Sequence, residues 1–319
     1  MKRIPVIFAI DKNVVIPCGV TITSLLMNAG EDTFYDLYIL YDGAYLGPGD
    51  RKVLADAFQG SEKCTLSFVD VEGAFKEVDG MTSGHITTAT YYRLEIPTLF
   101  PQYDKVIYLD ADLVVPGDIS ELYQEHLGTK LVGAVADYSI QKIAPFMRYI
   151  DRYVGVDHQN YVNSGVLLLN SKRLREVNFA GCFLEMVSQY GLETVAPDQD
   201  YLNALCRYGI HYLDPEWNAM PSECMGLMDD PQIVHFNLGS KPWLNESVPY
   251  DEIFWKYAAL SGYEKEIRFR RRAFLQDTNA MKNYKAAIKK LIHMAARLTE
   301  APVSFRTLMT SHQTLRLCS

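Results

Sequence analysis

The chain has 319 residues, of which 48% are hydrophobic, and its formal net charge is −8. This composition predicts an ordinary globular protein with a sizeable core and excludes a collagen-like, low-complexity or intrinsically disordered chain. The acidic balance argues against nucleic acid as a main partner, and no apolar run approaches the length that a bilayer-spanning helix needs.

Strand and helix patterns alternate through the first 70 residues. Strands are predicted at residues 6–10, 35–41 and 65–69, with helices between them at residues 17–26 and 48–58. This alternation is typical of a parallel sheet with crossover helices. The apolar stretch at residues 4–10 lacks a small-residue cleavage pattern, so we interpret it as a core strand rather than a signal peptide.

The pattern continues less regularly in the rest of the chain. We predict a helix at residues 87–94, a strand that ends at Leu109, strands at residues 131–136 and 165–170, and helices at residues 171–190 and 198–208. Six cysteines show neither C-x-x-C pairing nor regular spacing, which predicts no zinc site and no disulfide framework. A reducing, cytoplasmic location fits this pattern.

Residues 105–115 form the most informative segment, because an apolar strand pattern ends there in Asp110 and Asp112 with Ala111 between them. Residues i and i+2 of a strand share a face, so the two carboxylates could converge on one cation. Hard oxygen ligands select Mg²⁺ or Mn²⁺, which suit a pyrophosphate group. A solvated acidic turn is the alternative interpretation of the same three residues.

Polar residues also follow the first predicted strand. Ala9, Asp11 and Asn13 leave its carboxyl end, where ligands gather in open sheets, and could hydrogen-bond a base or a ribose. Because Asp and Asn are ordinary turn residues, a simple turn explains them equally well.

His235 and Lys241 lie in the second half of the chain. His235 sits in a short apolar run, so it is either a hydrogen-bonded core residue or a ligand that completes a site with the two aspartates. Lys241 could neutralise a phosphate.

Residues 198–200, Asp-Gln-Asp, open a predicted helix. They could serve capping alone, or capping together with a functional role in a cleft.

Five motifs in this order resemble glycosyltransferase family 8, over roughly residues 1–260. They are Thr90-Tyr91-Tyr92-Arg93-Leu94, Tyr108-Leu109-Asp110-Ala111-Asp112, Asn163-Ser164-Gly165-Val166, Pro197-Asp198-Gln199-Asp200-Tyr201-Leu202-Asn203, and His235-Phe236 with Lys241-Pro242-Trp243. The family comprises retaining sugar transferases, includes bacterial lipopolysaccharide galactosyl- and glucosyltransferases, and is similar to glycogenin.

The resemblance implies an α/β protein of the GT-A fold, with a single Rossmann-like, nucleotide-binding mixed sheet flanked by helices at residues 1–262. It also implies a metal site, donor-binding residues and residues near the reaction centre. The metal, Mn²⁺ or Mg²⁺, would be held by Asp110, Asp112 and His235. Uridine and ribose would contact Ala9, Asp11 and Asn13, the diphosphate would contact Gly239 and Lys241, and Ala111 and Arg93 complete the donor site. Asn163, Asp198 and Gln199 would lie at the reaction centre.

One position departs from the family pattern. The family places a glycine three residues after the histidine, where this chain has Leu238, and Gly239 follows. Lys241 keeps its usual offset.

The activity that the resemblance implies is metal-dependent, retaining transfer of galactose or glucose from a UDP-hexose to a glycan or glycolipid, in lipopolysaccharide or other surface glycan synthesis. Retention could use Asp198 as a nucleophile in two inversions, or same-face attack. Two alternatives stay open: a haloacid-dehalogenase-like phosphatase, because residues 110–114 also fit D-x-D-x-[TV], and a non-catalytic nucleotide-sugar-binding protein.

Residues 263–319 form a basic extension with twelve Lys or Arg against four Asp or Glu. Residues 281–298 have helical spacing, with an apolar stripe on one side and lysines on the other. The stripe is Tyr284, Ile288, Leu291, Ile292 and Ala295, and the lysines are Lys282, Lys285 and Lys289. Such a helix could lie peripherally on an anionic membrane at the cytoplasmic face, or pack its stripe on the catalytic domain.

Overall fold

A computed structural model of the chain describes residues 2–71, 88–221 and 226–311. Its first 70 residues form three parallel strands joined by crossover helices, as predicted. The strands are β1 (Lys2–Ala9), β2 (Thr33–Tyr41) and β3 (Cys64–Asp70), and the helices are α1 (Val15–Met27) and α2 (Pro48–Phe58). Residues 4–8 are buried throughout, because helices cover both faces of the sheet, and this burial explains their unbroken apolar run.

The described part of the chain holds six further strands: β4 (Val106–Leu109), β5 (Leu113–Val114), β6 (Val132–Ala136), β7 (Val162–Leu169), β8 (Ile210–Tyr212) and β9 (Val234–His235). Seven strands form the central sheet in the order β3-β2-β1-β4-β7-β6-β8, and β5 pairs with β9 in a small second sheet. β7 runs antiparallel to both β4 and β6. The sheet is therefore mixed, as the family resemblance implied, while its first three strands are parallel, as the alternation predicted.

The remaining helices are α3 (Ile96–Leu99), α4 (Ile119–Gln124), α5 (Ala144–Tyr149), α6 (Ser171–Glu176), α7 (Phe179–Tyr190), α8 (Pro197–Cys206), α9 (Asp251–Leu260), α10 (Glu264–Gln276), α11 (Thr278–Leu298) and α12 (Phe305–Ser311). A π-helical turn, Ile150–Val154, continues α5, and a 3₁₀ turn, Pro215–Asn218, precedes β9.

Two predicted helices differ from the structure. The single helix expected at residues 171–190 is broken between α6 and α7, where Asn178 adopts a left-handed φ of 52° that asparagine tolerates better than most residues. The helix expected at residues 87–94 is a 3₁₀ turn, Thr88–Glu95, that leads into α3, and residue 87 lies outside the described residues.

The basic extension packs on the body of the protein. α11 lies against α5, and its residues Met294, Ala295 and Leu298 are buried in the same core as Phe183 and Tyr201. Leu291 and Ile292 of the predicted apolar stripe contact that core as well. The lysines of the opposite side are exposed. The division of the chain at residue 262 stays a prediction.

No helix within the described ranges combines the length and the apolar character that a bilayer crossing requires.

Candidate active site

The functional residues meet at one edge of the central sheet. β1, β4 and β6 have their carboxyl ends there: Ala9 ends β1, and Asp110 and Asp137 directly follow β4 and β6. Because β7 is antiparallel, its beginning lies at this edge, so Gly165 accepts a backbone hydrogen bond at 2.8 Å from the Asp110 N–H. The reversed strand thus places Asn163 beside the aspartates.

Asp110, Asp112 and His235 converge at this edge, as the sequence predicted. β5 pairs with β9 in a register that sets Leu113 opposite His235. As a result, Nε2 of His235 lies 3.2 Å from Oδ1 of Asp112 and 3.7 Å from Oδ2 of Asp110. One ligand atom from each of the three side chains lies within 4.8 Å of the others, a spacing suited to a cation.

The donor atoms fit a divalent cation of the Mn²⁺ or Mg²⁺ type. Oδ1 of Asp112 is buried and accepts no hydrogen bond, which is the state expected of an atom that awaits a cation. Lys241 pairs with the other oxygen of Asp112. Burial alone would raise the pKa of Asp112, but the neighbouring Lys241 ammonium holds it below its usual range, so the carboxylate stays ionised.

Arg93 joins the aspartate pair to the start of α8. Its guanidinium lies 2.9 Å from Asp110 and 3.1 Å from Asp198, and it donates to the Ser164 carbonyl at 2.7 Å. The Cζ atom of Arg93 also lies over the ring of Tyr108, 4.5 Å from the ring centroid. Burial acts to lower the pKa of Arg93, yet the two carboxylates raise it overall, so the cation persists in the interior.

Asn163 and Gln199 are fixed by a shared carboxylate, that of Asp137. Oδ2 of Asp137 accepts from Asn163 at 3.1 Å and from Gln199 at 3.0 Å. Oε1 of Gln199 in turn accepts from the Ser164 backbone N–H at 3.0 Å. Both amide side chains line the cavity, and these hydrogen bonds fix their orientation.

The carboxylates of α8 do not cap the helix in the usual way. Its N-cap residue is Ala196, without a side-chain cap. Asp198 instead accepts a hydrogen bond from Ser164 Oγ at 2.7 Å and forms an ion pair with Arg93. Burial raises the pKa of Asp198, and the charge of Arg93 offsets only part of that rise. Asp200 accepts from Tyr149, Tyr161 and the Ala196 N–H at 2.7, 2.6 and 3.0 Å, and burial raises its pKa to about 6.

The predicted uridine residues lie beyond β1, the strand whose last residue is Ala9. Oδ1 of Asp11 accepts from the Asn13 N–H at 2.7 Å, which is the side-chain turn that the alternative interpretation expected. None of Ala9, Asp11 and Asn13 is among the described residues that line the cavity. Their contact with a nucleotide stays a prediction.

The departure from the family pattern lies in the segment after His235, at Leu238 and Gly239. Leu238, where the family places glycine, has a left-handed φ of 47°, a conformation that glycine adopts without steric cost. Leu238 is 48% exposed and lines the cavity. Gly239 is therefore not the left-handed residue here, and a Cβ on it would lie 3.0 Å from Ile288 of α11. Its role toward the diphosphate stays a prediction.

The site opens into a cavity of about 180 Å³ that is lined by both polar and apolar groups. The polar lining includes Asp110, Asp112 and His235. The apolar lining is mainly Ile140, Phe146, Ile150, Val195 and Leu291. Leu291 belongs to α11, so the basic extension contributes directly to the cavity.

Sequence reasoning missed Asp137 and Asn218. Asp137 directly follows β6, so the rule that selected Asp11 and Asp110 would have found it. Asn218 ends a 3₁₀ turn and carries no comparable signal.

A mixed sheet of this order, with an Asp-x-Asp pair and a histidine at its carboxyl edge, defines a GT-A glycosyltransferase. A profile of Glycosyl transferase family 8 matches residues 5–247, and the chain belongs to that family. Three similar proteins illustrate the range of relatives. General stress protein A of Bacillus subtilis is 31% identical over 77% of this chain and 90% of its own length. Lipopolysaccharide 1,2-glucosyltransferase of Escherichia coli is 27% identical over 84% and 83%.

The third is a crystal structure of the galactosyltransferase LgtC with donor and acceptor sugar analogues, which superposes with a TM-score of 0.67 at 25% identity. It covers 81% of this chain and 96% of LgtC. Family membership confirms the fold and the enzyme class that the resemblance implied, and it excludes the phosphatase alternative.

Proposed function

We propose that this glycosyltransferase moves glucose or galactose from a UDP-sugar to a glycan or glycolipid acceptor, with retention and with Mn²⁺ or Mg²⁺ in the Asp110, Asp112 and His235 site. The observation that supports this most directly is the convergence of those three side chains on the cavity that Gln199 also lines, with Lys241 paired to Asp112. The E. coli relative is named as a lipopolysaccharide glucosyltransferase, which supports a role in surface glycan synthesis.

The metal would neutralise negative charge on the departing diphosphate. Lys241 would add a positive charge at the same place, and its ammonium is already held there by Asp112. Both charges act more strongly on the transition state than on the intact donor, because charge on the phosphate oxygens grows as the sugar leaves.

We propose same-face attack rather than a covalent intermediate on Asp198. Asp198 is not among the described residues that line the cavity, and its Oδ2 already accepts from Ser164 and pairs with Arg93. Gln199 and Asn163 do line the cavity, so they would orient the sugar while a departing phosphate oxygen takes the acceptor's proton. Asp198 would act indirectly, by fixing Arg93.

We propose that the acceptor lies against the apolar residues of the cavity. These residues line the same cavity as the polar groups assigned to the donor, and they include Leu291 of α11. Peripheral contact with an anionic membrane would use the exposed lysines and arginines of α10 and α11 with Phe269, which is 64% exposed. The apolar stripe is occupied by packing and is not available for that contact.

The test is release of UDP from a panel of UDP-sugars in the presence of Mn²⁺. Slow donor hydrolysis is expected for one hexose, and Asp110→Asn should abolish it while the far-ultraviolet circular dichroism spectrum stays unchanged. The control is Asp157→Asn, in a second Asp-Asp-His group at the surface (Asp151, Asp157 and His158), which should keep full activity. Full UDP release by Asp110→Asn would refute the assignment, and UDP binding without release in any acceptor mixture would favour the binding-protein alternative.

A further inference from the structure

Asn218 is a buried residue in contact with His235 that no part of the sequence argument used. It is 1% exposed at the end of the 3₁₀ turn before β9. Two backbone hydrogen bonds hold the next residue against β9, from Ala219 N–H to Ile233 at 2.8 Å and from His235 N–H to Ala219 at 2.9 Å. The side chain of Asn218 therefore has a fixed position beside the imidazole, with its Oδ1 3.0 Å from Nδ1 of His235.

The orientation of the neighbouring amide, Asn163, follows from groups that cannot change roles. The Gly165 backbone N–H can only donate, and it lies 2.9 Å from Oδ1 of Asn163. The Asp137 carboxylate can only accept while ionised, and it lies 3.1 Å from Nδ2 of Asn163. A flipped Asn163 amide would lose both hydrogen bonds, so its oxygen must face Gly165.

Asn163 then fixes Asn218, and Asn218 fixes the histidine. Nδ2 of Asn218 lies 3.0 Å from Oδ1 of Asn163, which leaves Oδ1 of Asn218 as an acceptor facing Nδ1 of His235. Nδ1 must therefore carry a proton. In the neutral ring Nε2 then presents a lone pair toward Oδ1 of Asp112, the buried oxygen without a donor.

We propose that Asn218 is a positioning residue that sets the tautomer of His235. A relay that starts at the Gly165 N–H and passes through Asn163 and Asn218 keeps the proton on Nδ1 and leaves Nε2 free to bind the divalent cation. The inference rests on the proposed metal site. Groups that orient a metal-bound histidine commonly change metal affinity by about 10–100-fold when they are replaced.

The test uses nitrogen NMR of ¹⁵N-histidine-labelled, metal-free protein above neutral pH, with the His235 signal assigned from its loss in His235→Gln. The wild-type protein should show the Nδ1–H tautomer. Asn218→Leu removes the acceptor, so the proton should move to Nε2, where Asp112 can accept it. Mn²⁺ affinity, measured from the free-ion electron paramagnetic resonance signal, should then fall about 10–100-fold.

Asn218→Asp serves as the conservative variant, because a carboxylate still accepts from Nδ1. It should keep the Nδ1–H tautomer and bind Mn²⁺ more tightly than Asn218→Leu, and it preserves the test if Asn218→Leu does not fold. The control is Asn237→Leu, since Asn237 is a buried amide that lines the cavity together with His235 but donates to Ser139 and Met220 instead. It should leave the tautomer unchanged.

An Nε2–H tautomer in the wild-type protein would overturn the proposal. So would an Asn218→Leu variant that folds and keeps both the Nδ1 proton and the wild-type Mn²⁺ affinity. Failure of the proposed function is a separate result: the wild-type protein would then neither bind Mn²⁺ nor release UDP, while the tautomer would still report on the relay.

Discussion

Replacing Gly165 by alanine should destroy the metal site from within the sheet. An added Cβ would lie 2.2 Å from Cε1 of His235 and 2.7 Å from Oδ2 of Asp110, whereas ordinary contacts begin at 3.4 Å. The imidazole would have to retreat by about 1.2 Å, while metal–ligand distances tolerate a change of only about 0.2 Å. We therefore expect at least one ligand to be lost, with a fall in Mn²⁺ affinity of about 100-fold or more.

The assay is Mn²⁺ titration, together with urea unfolding to measure the free energy of unfolding. The overpacked core should cost about 1–3 kcal/mol, so the variant should stay folded at room temperature. Gly49→Ala is the matched control, because its Cβ would meet no heavy atom within 4 Å and it lies in α2, where alanine is favoured. Wild-type Mn²⁺ affinity in Gly165→Ala would refute the argument that the site needs this glycine.

Three further predictions concern buried charges and the basic surface. Asp200 has a pKa raised to about 6 by burial, so the folded protein binds a proton that the unfolded chain has released, and this stabilisation disappears as pH rises through about 6. Between about pH 4 and pH 7, the free energy of unfolding should therefore decline by about 2 kcal/mol less in Asp200→Asn than in the wild-type protein; parallel declines in urea titrations would contradict this. Arg93→Met leaves Asp110 and Asp198 without their shared cation and should lower the free energy of unfolding by about 3–5 kcal/mol. Arg3→Met, which breaks a half-exposed ion pair, should lower it by under about 1 kcal/mol. Equal losses in the two variants would refute the difference between the buried and the exposed pair. Replacing the exposed Lys282, Lys285 and Lys289 by glutamate should reduce sedimentation with phosphatidylserine vesicles at least about tenfold. UDP release and binding to neutral vesicles should not change. Unchanged sedimentation would exclude this surface as a membrane contact.

The sequence predicted the positions of β1, β2 and β3 because each is a largely apolar run between turn residues, and residues 4–8 of β1 are buried on both faces. The same burial hid the direction of β7. All of Val162–Leu169 is buried, so its side chains show no alternation that would distinguish a parallel strand from an antiparallel one. Direction depends on which neighbours the strand pairs with, and that information is not local.

The direction of β7 also explains which site residues could be predicted from pattern alone. The rule that ligands gather at the carboxyl ends of parallel strands selects Asp11 and Asp110, and it would have selected Asp137. It cannot select Asn163 or Gly165, because these begin a strand that runs the other way. Only the family resemblance indicated Asn163, and the close approach of His235 that requires Gly165 became visible only in three dimensions.

The amphipathic pattern of α11 did not indicate what its apolar stripe packs against. Burial of such a stripe against lipid or against protein contributes a similar free energy. The structure places Leu291 of that stripe in the wall of the cavity, and Ile288 within 3.0 Å of the position that a Cβ on Gly239 would take. A helix that left the protein to enter a membrane would therefore remove Leu291 from the wall of the cavity. A membrane contact that keeps Leu291 in the cavity wall would have to use the exposed side of α11, which carries Lys282, Lys285 and Lys289.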